Sequence, residues 1–363
     1  MNPRIEQLIN TFKARHIDAL LVTQDTNIAY LTHFSASESW LVVGPAEAYP
    51  RFGRANKRKA SYITDFRYIL EARKGLKGVG VVRYIKSKGE TLFQTCRQEN
   101  IRHLGFDPNH LTLAQYQALQ KQCPRAVKLV AVPHLVEALR ETKGATEIKY
   151  IRQALAIHKQ AYQLVKKFIR PNVTEQDILS RLENFVRHKG ARFSFPPIVA
   201  SGLNSCYPHA KVTGRKLKKN DIVLVDIGIE VKGYKSDLTR MFFLGRIPPL
   251  VQKVNDAVAV AQLKAIEKIR PGVPVAELDL AARNHLAKNG LAQYFGHALG
   301  HGVGLDIHES PRLSQSNPAV LKAGMVITIE PAVYIPHRFG IRIEDMVLVT
   351  PKGCEVLSGD IHQ

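Results

Sequence analysis

Asp226, Asp237, His301, Glu330 and Glu344 are the residues of this chain whose types and settings could do chemistry together. Asp226 and Asp237 lie in LVDIGIEVKGYKSDLTR (224–240), and His301 lies in HALGHGVGLDIHESP (297–311). Glu330 and Glu344 lie in MVITIEPAVYIPHRFGIRIED (325–345). Each stretch sets an ionisable residue inside an apolar, strand-like run. A carboxylate buried there is costly unless a cation compensates it. Four that converge repel one another unless divalent ions sit between them. Four carboxylates and one imidazole favour two Mn2+ ions, or similar hard-to-borderline dications, over a thiolate zinc site. The chemistry indicated is metal-assisted hydrolysis.

Hairpin geometry sharpens this. Asp226 follows IVLV and Asp237 precedes LTRMFFL, with Gly233 as the turn residue between them. Pairing about Val231–Lys232 sets Asp226 nearly opposite Asp237, where cross-strand Cβ atoms are about 5 Å apart. Glu330 ends MVITI and Glu344 lies in the return run GIRIEDMVLVT, with a turn near Pro336–Gly340 that again sets the two acids opposite. Two such pairs suit ions roughly 3.5–4 Å apart. A single strand acid reads more simply as a solvent-facing residue on an edge strand. Two facing pairs beside a histidine motif do not.

Most of the 14 histidines need no function. His297, His301 and His308 differ, falling within twelve residues amid Gly296, Gly300, Gly302 and Gly304. The glycines argue against a zinc-protease helix, although His297 and His301 are four apart. They would let the backbone approach a ligand or metal closely. His209 follows Pro208 in the polar loop SGLNSCYPHAK, just before the first acid hairpin.

The elements that must position these residues fall into two parts. Residues 1–133 alternate, with helix over 4–15, strands at 17–23, 39–44 and 61–68, a strand at 78–85, a helix near 87–99, a strand at 101–106, a helix near 112–122 and a strand at 126–132. That pattern predicts an α/β domain with a mixed sheet. Residues 134–146 read as a linker, and Thr146 could cap the helix EIKYIRQALAIHKQAYQLVKKFI that opens the second part, 147–363. The second part repeats itself. KKFIRPNVTEQDILSRLENFVRHKG (166–190) aligns with EKIRPGVPVAELDLAARNHLAKNG (267–290), and the acid hairpins follow at an offset of 104 residues. A long period with two copies is not a solenoid. It predicts two α+β halves related by a pseudo-twofold axis, with ligands drawn from both.

Composition closes off other classes. No run approaches the length of a membrane span, and the opening MNPRIEQLINTFKARHIDALLV has helical periodicity rather than a signal-peptide pattern, so a cytoplasmic protein is expected. Cys96, Cys123, Cys206 and Cys354 are scattered, as reduced thiols would be. A net charge of +21 is high, with basic runs at 51–62 and 212–221. Sparse aromatics and the lack of a nucleic-acid motif favour a solvated surface over an RNA partner.

Roughly residues 145–352 closely resemble the M24 metallopeptidases of the pita-bread fold, in the proline-peptidase branch (prolidase and aminopeptidase P). FPPIVASGLNSCYPHA, VDIGIEVKGYKSDLTR, HALGHGVGLDIHESP, TIEPAVY and GIRIEDMVLV carry the resemblance, in family order. NIAYLTHFS and YITDFRY resemble the creatinase-type N-terminal domain. The resemblance implies a dinuclear centre on Asp226, Asp237, His301, Glu330 and Glu344, with Mn2+ expected and Co2+ or Zn2+ as alternatives. It implies substrate-orienting and carbonyl-stabilising roles for His209, His297 and His308, a proton-transfer role for Glu330 or Glu344, and a matching arginine at Arg342. The implied reaction is hydrolysis between an N-terminal residue and a following proline by a metal-bridging hydroxide, in a homodimer. Two departures stand out. TIEPA replaces the usual TIEPG, and 51–60 is a basic insert. The alternatives are a non-enzymatic nucleic-acid or ribosome binder on the same fold, or a creatinase-like metal-free C–N hydrolase. Relatives of those kinds typically lack ligands, whereas all five are kept here.

Overall fold

The computed structural model describes residues 2–34, 37–44 and 59–361. The chain divides into two compact units between Arg140 and Glu141.

The first unit opens on α1 (Pro3–Ile9), whose N-cap Asn2 side chain accepts from the Arg4 N–H. The helix expected over 4–15 stops early. Residues 13–15 form a 3-10 turn, and His16 closes it with a left-handed φ of 53°. There follow β1 (Ala19–Val22), α2 (Asp25–Thr32), β2 (Trp40–Val43), β3 (Ala60–Thr64), α3 (Ile69–Gly75), β4 (Gly80–Arg83), α4 (Lys88–Gln98), β5 (His103–Phe106), α5 (Leu113–Gln122), β6 (Lys128–Ala131) and α6 (Leu135–Arg140). The strands form one sheet in the order β4-β3-β2-β1-β5-β6. β2 runs antiparallel to β1 and β3, and the other pairs are parallel, so the sheet is mixed. The segment read as a linker thus contributes α6 to this unit. Buried Arg140 donates to Asn27 Oδ1 at 2.7 Å, and Asn27 donates in turn to Glu137. The basic stretch at 51–60 lies outside the described residues except for Lys59, which pairs with Glu6, and Ala60, which opens β3.

The second unit begins with α7 (Ala145–Phe168). Its N-cap is Gly144 rather than Thr146, and the Glu147 side chain accepts from the Gly144 N–H at 2.9 Å. Then come α8 (Glu175–His188), β7 (Arg192–Phe193), β8 (Ile198–Ser201), β9 (Ile222–Ile227), β10 (Ile229–Val231), β11 (Tyr234–Lys235), β12 (Leu238–Phe243), α9 (Pro249–Ile266) and α10 (Val275–Lys288). The remaining strands are β13 (Gly300–Gly302), β14 (Glu309–Leu313), β15 (Val326–Ile329), β16 (Ala332–Ile335), β17 (Phe339–Arg342), β18 (Asp345–Val349) and β19 (Cys354–Val356).

The internal duplication is visible bond by bond. Asn172 N–H donates to the Leu217 carbonyl and Leu217 N–H to Val173, while Gly272 donates to Leu321 and Leu321 to Val273. Tyr162 on α7 donates to the carbonyls of Val225 and Leu238, and Gln262, at the matching place on α9, donates to those of Ile329 and Ile343. Strands β9 and β15 are buried on both faces, so each feeds two cores. Ile222 and Leu224 pack with α9 and α10, whereas Val223, Val225 and Ile227 pack with α7 and α8. Val326 and Ile327 show the same alternation with the cores exchanged, as a twofold that swaps the helix pairs requires. No helix among the described residues is long and apolar enough to cross a membrane.

Candidate metal centre

The first hairpin turns at Lys232–Gly233, whose φ values of 52° and 84° are the left-handed pair of a two-residue turn. Its centre lies one residue later than the sequence suggested. Asp226 is therefore opposite Thr239, and Asp237 is its diagonal neighbour two residues on. The diagonal position stays on the same face, so the acids still converge. The second hairpin keeps the expected register. Ile329 pairs with Asp345 below the gap and Ala332 with Arg342 above it, which sets Glu330 across from Glu344.

Asp237, His301 and Glu344 each offer one ligand atom, all within 4.8 Å of one another. His301 Nε2 lies 3.6 Å from Asp237 Oδ2 and 3.3 Å from Glu330 Oε1. The other imidazole nitrogen, Nδ1, is 3.0 Å from the Gly302 carbonyl and must donate to it. That aims Nε2 at the acids, to which it donates while protonated and where its lone pair would meet a metal once that proton is given up. Asp226 is tied through Oδ2 to Arg342 Nη2 at 2.5 Å, while its buried Oδ1 has no hydrogen-bond partner. Thr239 Oγ1 donates to Glu344 Oε2 at 2.7 Å and accepts from Arg342 Nε.

Electrostatics records the strain. Burial, then the repulsion of Glu344, Asp226 and Glu330, pushes the Asp237 carboxyl well above its ordinary range. Burial followed by Glu330 and Asp226 does the same to Glu344, and burial raises Asp226 against the pull of Arg342. Burial also acts on Glu330, but the hydrogen bond and charge of His301 outweigh it and hold that carboxyl down. An unpartnered buried oxygen, two carboxylates destabilised by their neighbours and an imidazole Nε2 aimed among the acids fit divalent cations. Asp226, Asp237, His301, Glu330 and Glu344 could hold them.

The other histidines surround this cluster. The His301 and His308 rings meet edge to face at 4.3 Å. His297 donates through Nδ1 to the Ala298 carbonyl at 2.8 Å, and its buried Nε2 has no partner. His209 is exposed on the loop after β8, near enough for its charge to act on His308. Arg342 Nη1 donates to the carbonyl of Pro208, beside His209, at 3.2 Å and to Tyr334 Oη at 2.5 Å.

Several contributors were not read from the sequence. Thr239 and Thr328 are buried hydroxyls on the ligand strands, and Thr328 bonds both the His301 N–H and Glu330. Tyr334 packs against His297 with ring centroids 5.8 Å apart. A polar side chain inside an apolar strand run was the available signal for all three. Two of the glycines also have a packing reason. A Cβ on Gly300 would lie 2.0 Å from the Thr328 carbonyl oxygen, and one on Gly302 would lie 2.3 Å from that of Ser310. These two let β13 press between β14 and β15.

Comparison with known proteins identifies the family. The model of metallopeptidase family M24 matches residues 149–351, and that of the creatinase/prolidase N-terminal domain matches residues 4–142. An Xaa-Pro dipeptidase of Pyrococcus horikoshii is 31% identical, over 99% of this chain and 97% of its own length. An uncharacterized peptidase of Bacillus subtilis is 36% identical, over 96% of each. The solved structure of an Xaa-Pro dipeptidase from Bacillus anthracis superposes with a TM-score of 0.91 at 34% identity, covering 98% of this chain and 97% of that one. The chain belongs to metallopeptidase family M24, with a creatinase/prolidase-type N-terminal domain ahead of a pita-bread catalytic domain.

Proposed function

We propose that the protein is an Xaa-Pro peptidase, cleaving the bond between an N-terminal residue and a following proline with two divalent metal ions. The observation that carries this is the convergence of Asp237, His301 and Glu344 within 4.8 Å, flanked by Asp226 and Glu330. Relatives named as Xaa-Pro dipeptidases over nearly the whole chain support the substrate. When bound, the dications, Mn2+ foremost, supply Lewis acidity and lower the pKa of water toward neutrality.

The chain's own groups do the rest. Asp226, Asp237, His301, Glu330 and Glu344 fix the positions of the ions and of the substrate's amino end. Glu330, the acid closest to the His301 imidazole, accepts the proton of the attacking water at a carboxylate oxygen and returns it to the leaving proline nitrogen. His308 and His209 donate hydrogen bonds to the developing oxyanion and the leaving side. His297, whose Nδ1 proton is committed to Ala298, accepts a substrate N–H at Nε2. Arg342 ties Asp226 to the His209 loop and so sets the distance between ligands and donors.

The test is to chelate the purified protein, restore single metals and compare Ala-Pro with Ala-Pro-Ala. Cleavage of either peptide that returns with Mn2+ supports the reading, and the preferred length decides between dipeptidase and aminopeptidase. Undiminished cleavage by a metal-free Asp226→Ala protein overturns it. The same reading includes a cytoplasmic homodimer, and light scattering that returns a monomer mass would remove that part.

A further inference from the structure

Two acids outside the ligand set are wholly buried, and each is bonded to a chain segment that carries a site histidine. Glu175, the first residue of α8, has no exposed surface. Its Oε1 accepts from the Ser201 N–H at 2.6 Å and the Ser201 hydroxyl at 2.7 Å. Its Oε2 accepts from Asn204 Nδ2 at 3.0 Å, the Thr213 N–H at 2.9 Å and the Thr213 hydroxyl at 2.7 Å. Ser201 and Thr213 flank the loop 202–212 and Asn204 lies within it, with His209 at its tip, where Tyr207, Pro208 and His209 are all exposed. From the other side β17 reaches the same loop, through Arg342 to the Pro208 carbonyl and Gly340 N–H to the Ser205 hydroxyl.

The second half has a counterpart on α10. Asp279, also wholly buried, accepts the Leu299 N–H at 3.1 Å and pairs with Arg283 at 2.7 Å. Arg283 then donates to the carbonyls of Phe295, at 2.8 Å, and of His297 itself. Glu175 and Asp279 do not align in the repeat, because Val275 occupies the place of Glu175. The two halves reach the same arrangement from positions one helical turn apart.

We propose that Glu175 and Asp279 are paired positioning residues, each fixing one histidine-bearing segment, His209 and His297 respectively, against the metal centre. Neither acid touches substrate. Their charge-assisted hydrogen bonds add to those the strands supply, the Leu299 N–H being shared between Asp279 and the Leu313 carbonyl, and an uncompensated loss there is costly because the donors are buried. The inference rests on the proposed function for the purpose of the histidines, but its geometry does not.

The test uses the full-length, metal-free protein. Glu175→Gln keeps the shape and offers an amide hydrogen where two donors already point. Deuterium exchange should rise about tenfold or more in residues 202–213 while residues 295–299 stay unchanged, and Asp279→Asn should give the reverse pattern. Acceleration of both segments by either variant, or of neither, overturns the proposal. Where Glu175→Gln fails to fold, Thr213→Val withdraws one donor and must still loosen 202–213, and unchanged exchange there overturns the proposal as well. With Mn2+ and Ala-Pro, Glu175→Gln should lower kcat about tenfold or more and lower it no further in a His209→Ala background. Multiplying losses would mean that Glu175 does not act through His209. If the wild type cleaves no Xaa-Pro peptide, the proposed function falls, and the exchange pattern alone still decides the positioning.

Discussion

Asp237→Asn is expected to make the metal-free protein more stable and the metal-loaded protein less so. Asp237 and Glu344 present carboxylate oxygens within 4.8 Å of each other in a buried setting. At that separation and an effective dielectric near 20, two unit charges repel by about 3.5 kcal/mol. The wild-type centre escapes part of this by retaining a proton, itself costing about 1.4 kcal/mol per unit of pKa shift, so roughly 3 kcal/mol is an upper bound on what asparagine relieves. Asparagine is isosteric and loses only the 3.6 Å contact with His301 as an ion pair. In a unit of this size each kcal/mol moves Tm by about 2–4 °C, so Tm in EDTA should rise, by at most roughly 6–12 °C. Saturating Mn2+ should reverse the order, because ligand at a thousandfold excess over Kd stabilises the wild type by about 4 kcal/mol and the variant has lost a ligand. Differential scanning calorimetry in EDTA and in Mn2+ reads both signs. A variant less stable than wild type in EDTA would refute the argument that these acids are held together against their own repulsion.

His308→Ala should keep metal stoichiometry, measured by elemental analysis, yet lower kcat by about 10²-fold. Gly300→Ala should destabilise by about 3 kcal/mol or more in urea unfolding, because its Cβ would lie 2.0 Å from the Thr328 oxygen and only backbone movement relieves that. In the first unit, the hydrogen bond that His110 donates to Glu137 raises His110 above its ordinary 6.5, against burial. Burial pushes Glu137 up, but His110 and Asn27 bring it down to about 2. The raised His110 stabilises below pH 6.5 and stops doing so as pH climbs through its folded value. The depressed Glu137 stabilises above its ordinary 4.5 and stops as pH falls toward 2. The pair should therefore help most between about pH 4.5 and 6.5, and the stability gap between wild type and His110→Gln, by urea unfolding, should be wider at pH 5.5 than at pH 8.5.

What could be read from the sequence was whatever repeats or alternates. The duplication, the acid-bearing strands and the mixed sheet follow from local pattern, and the register of the second hairpin did too. The first hairpin slipped because Gly233 alone marks a turn without saying which neighbour shares the left-handed conformation. Lys232 does, and that moves the turn centre by one residue and the partner of Asp226 by two, which keeps the face. Helix α2 escaped because its buried Asn27 is satisfied by Glu137 and Arg140, more than a hundred residues away. The crowding that requires glycine at 300 and 302 comes from neighbouring strands and is equally invisible locally. Glu175 and Asp279 look like ordinary charged helix residues until the loops they hold are in place.

One consequence follows from how the five candidate ligands are shared out. Asp226 and Asp237 belong to the earlier half, and His301, Glu330 and Glu344 to the later one. A shared ion would rivet together segments that are far apart in the chain. Cutting the polypeptide in the turn ahead of α9 should therefore yield two fragments whose reassembly answers to manganese concentration, which makes the molecule a candidate split reporter for that ion.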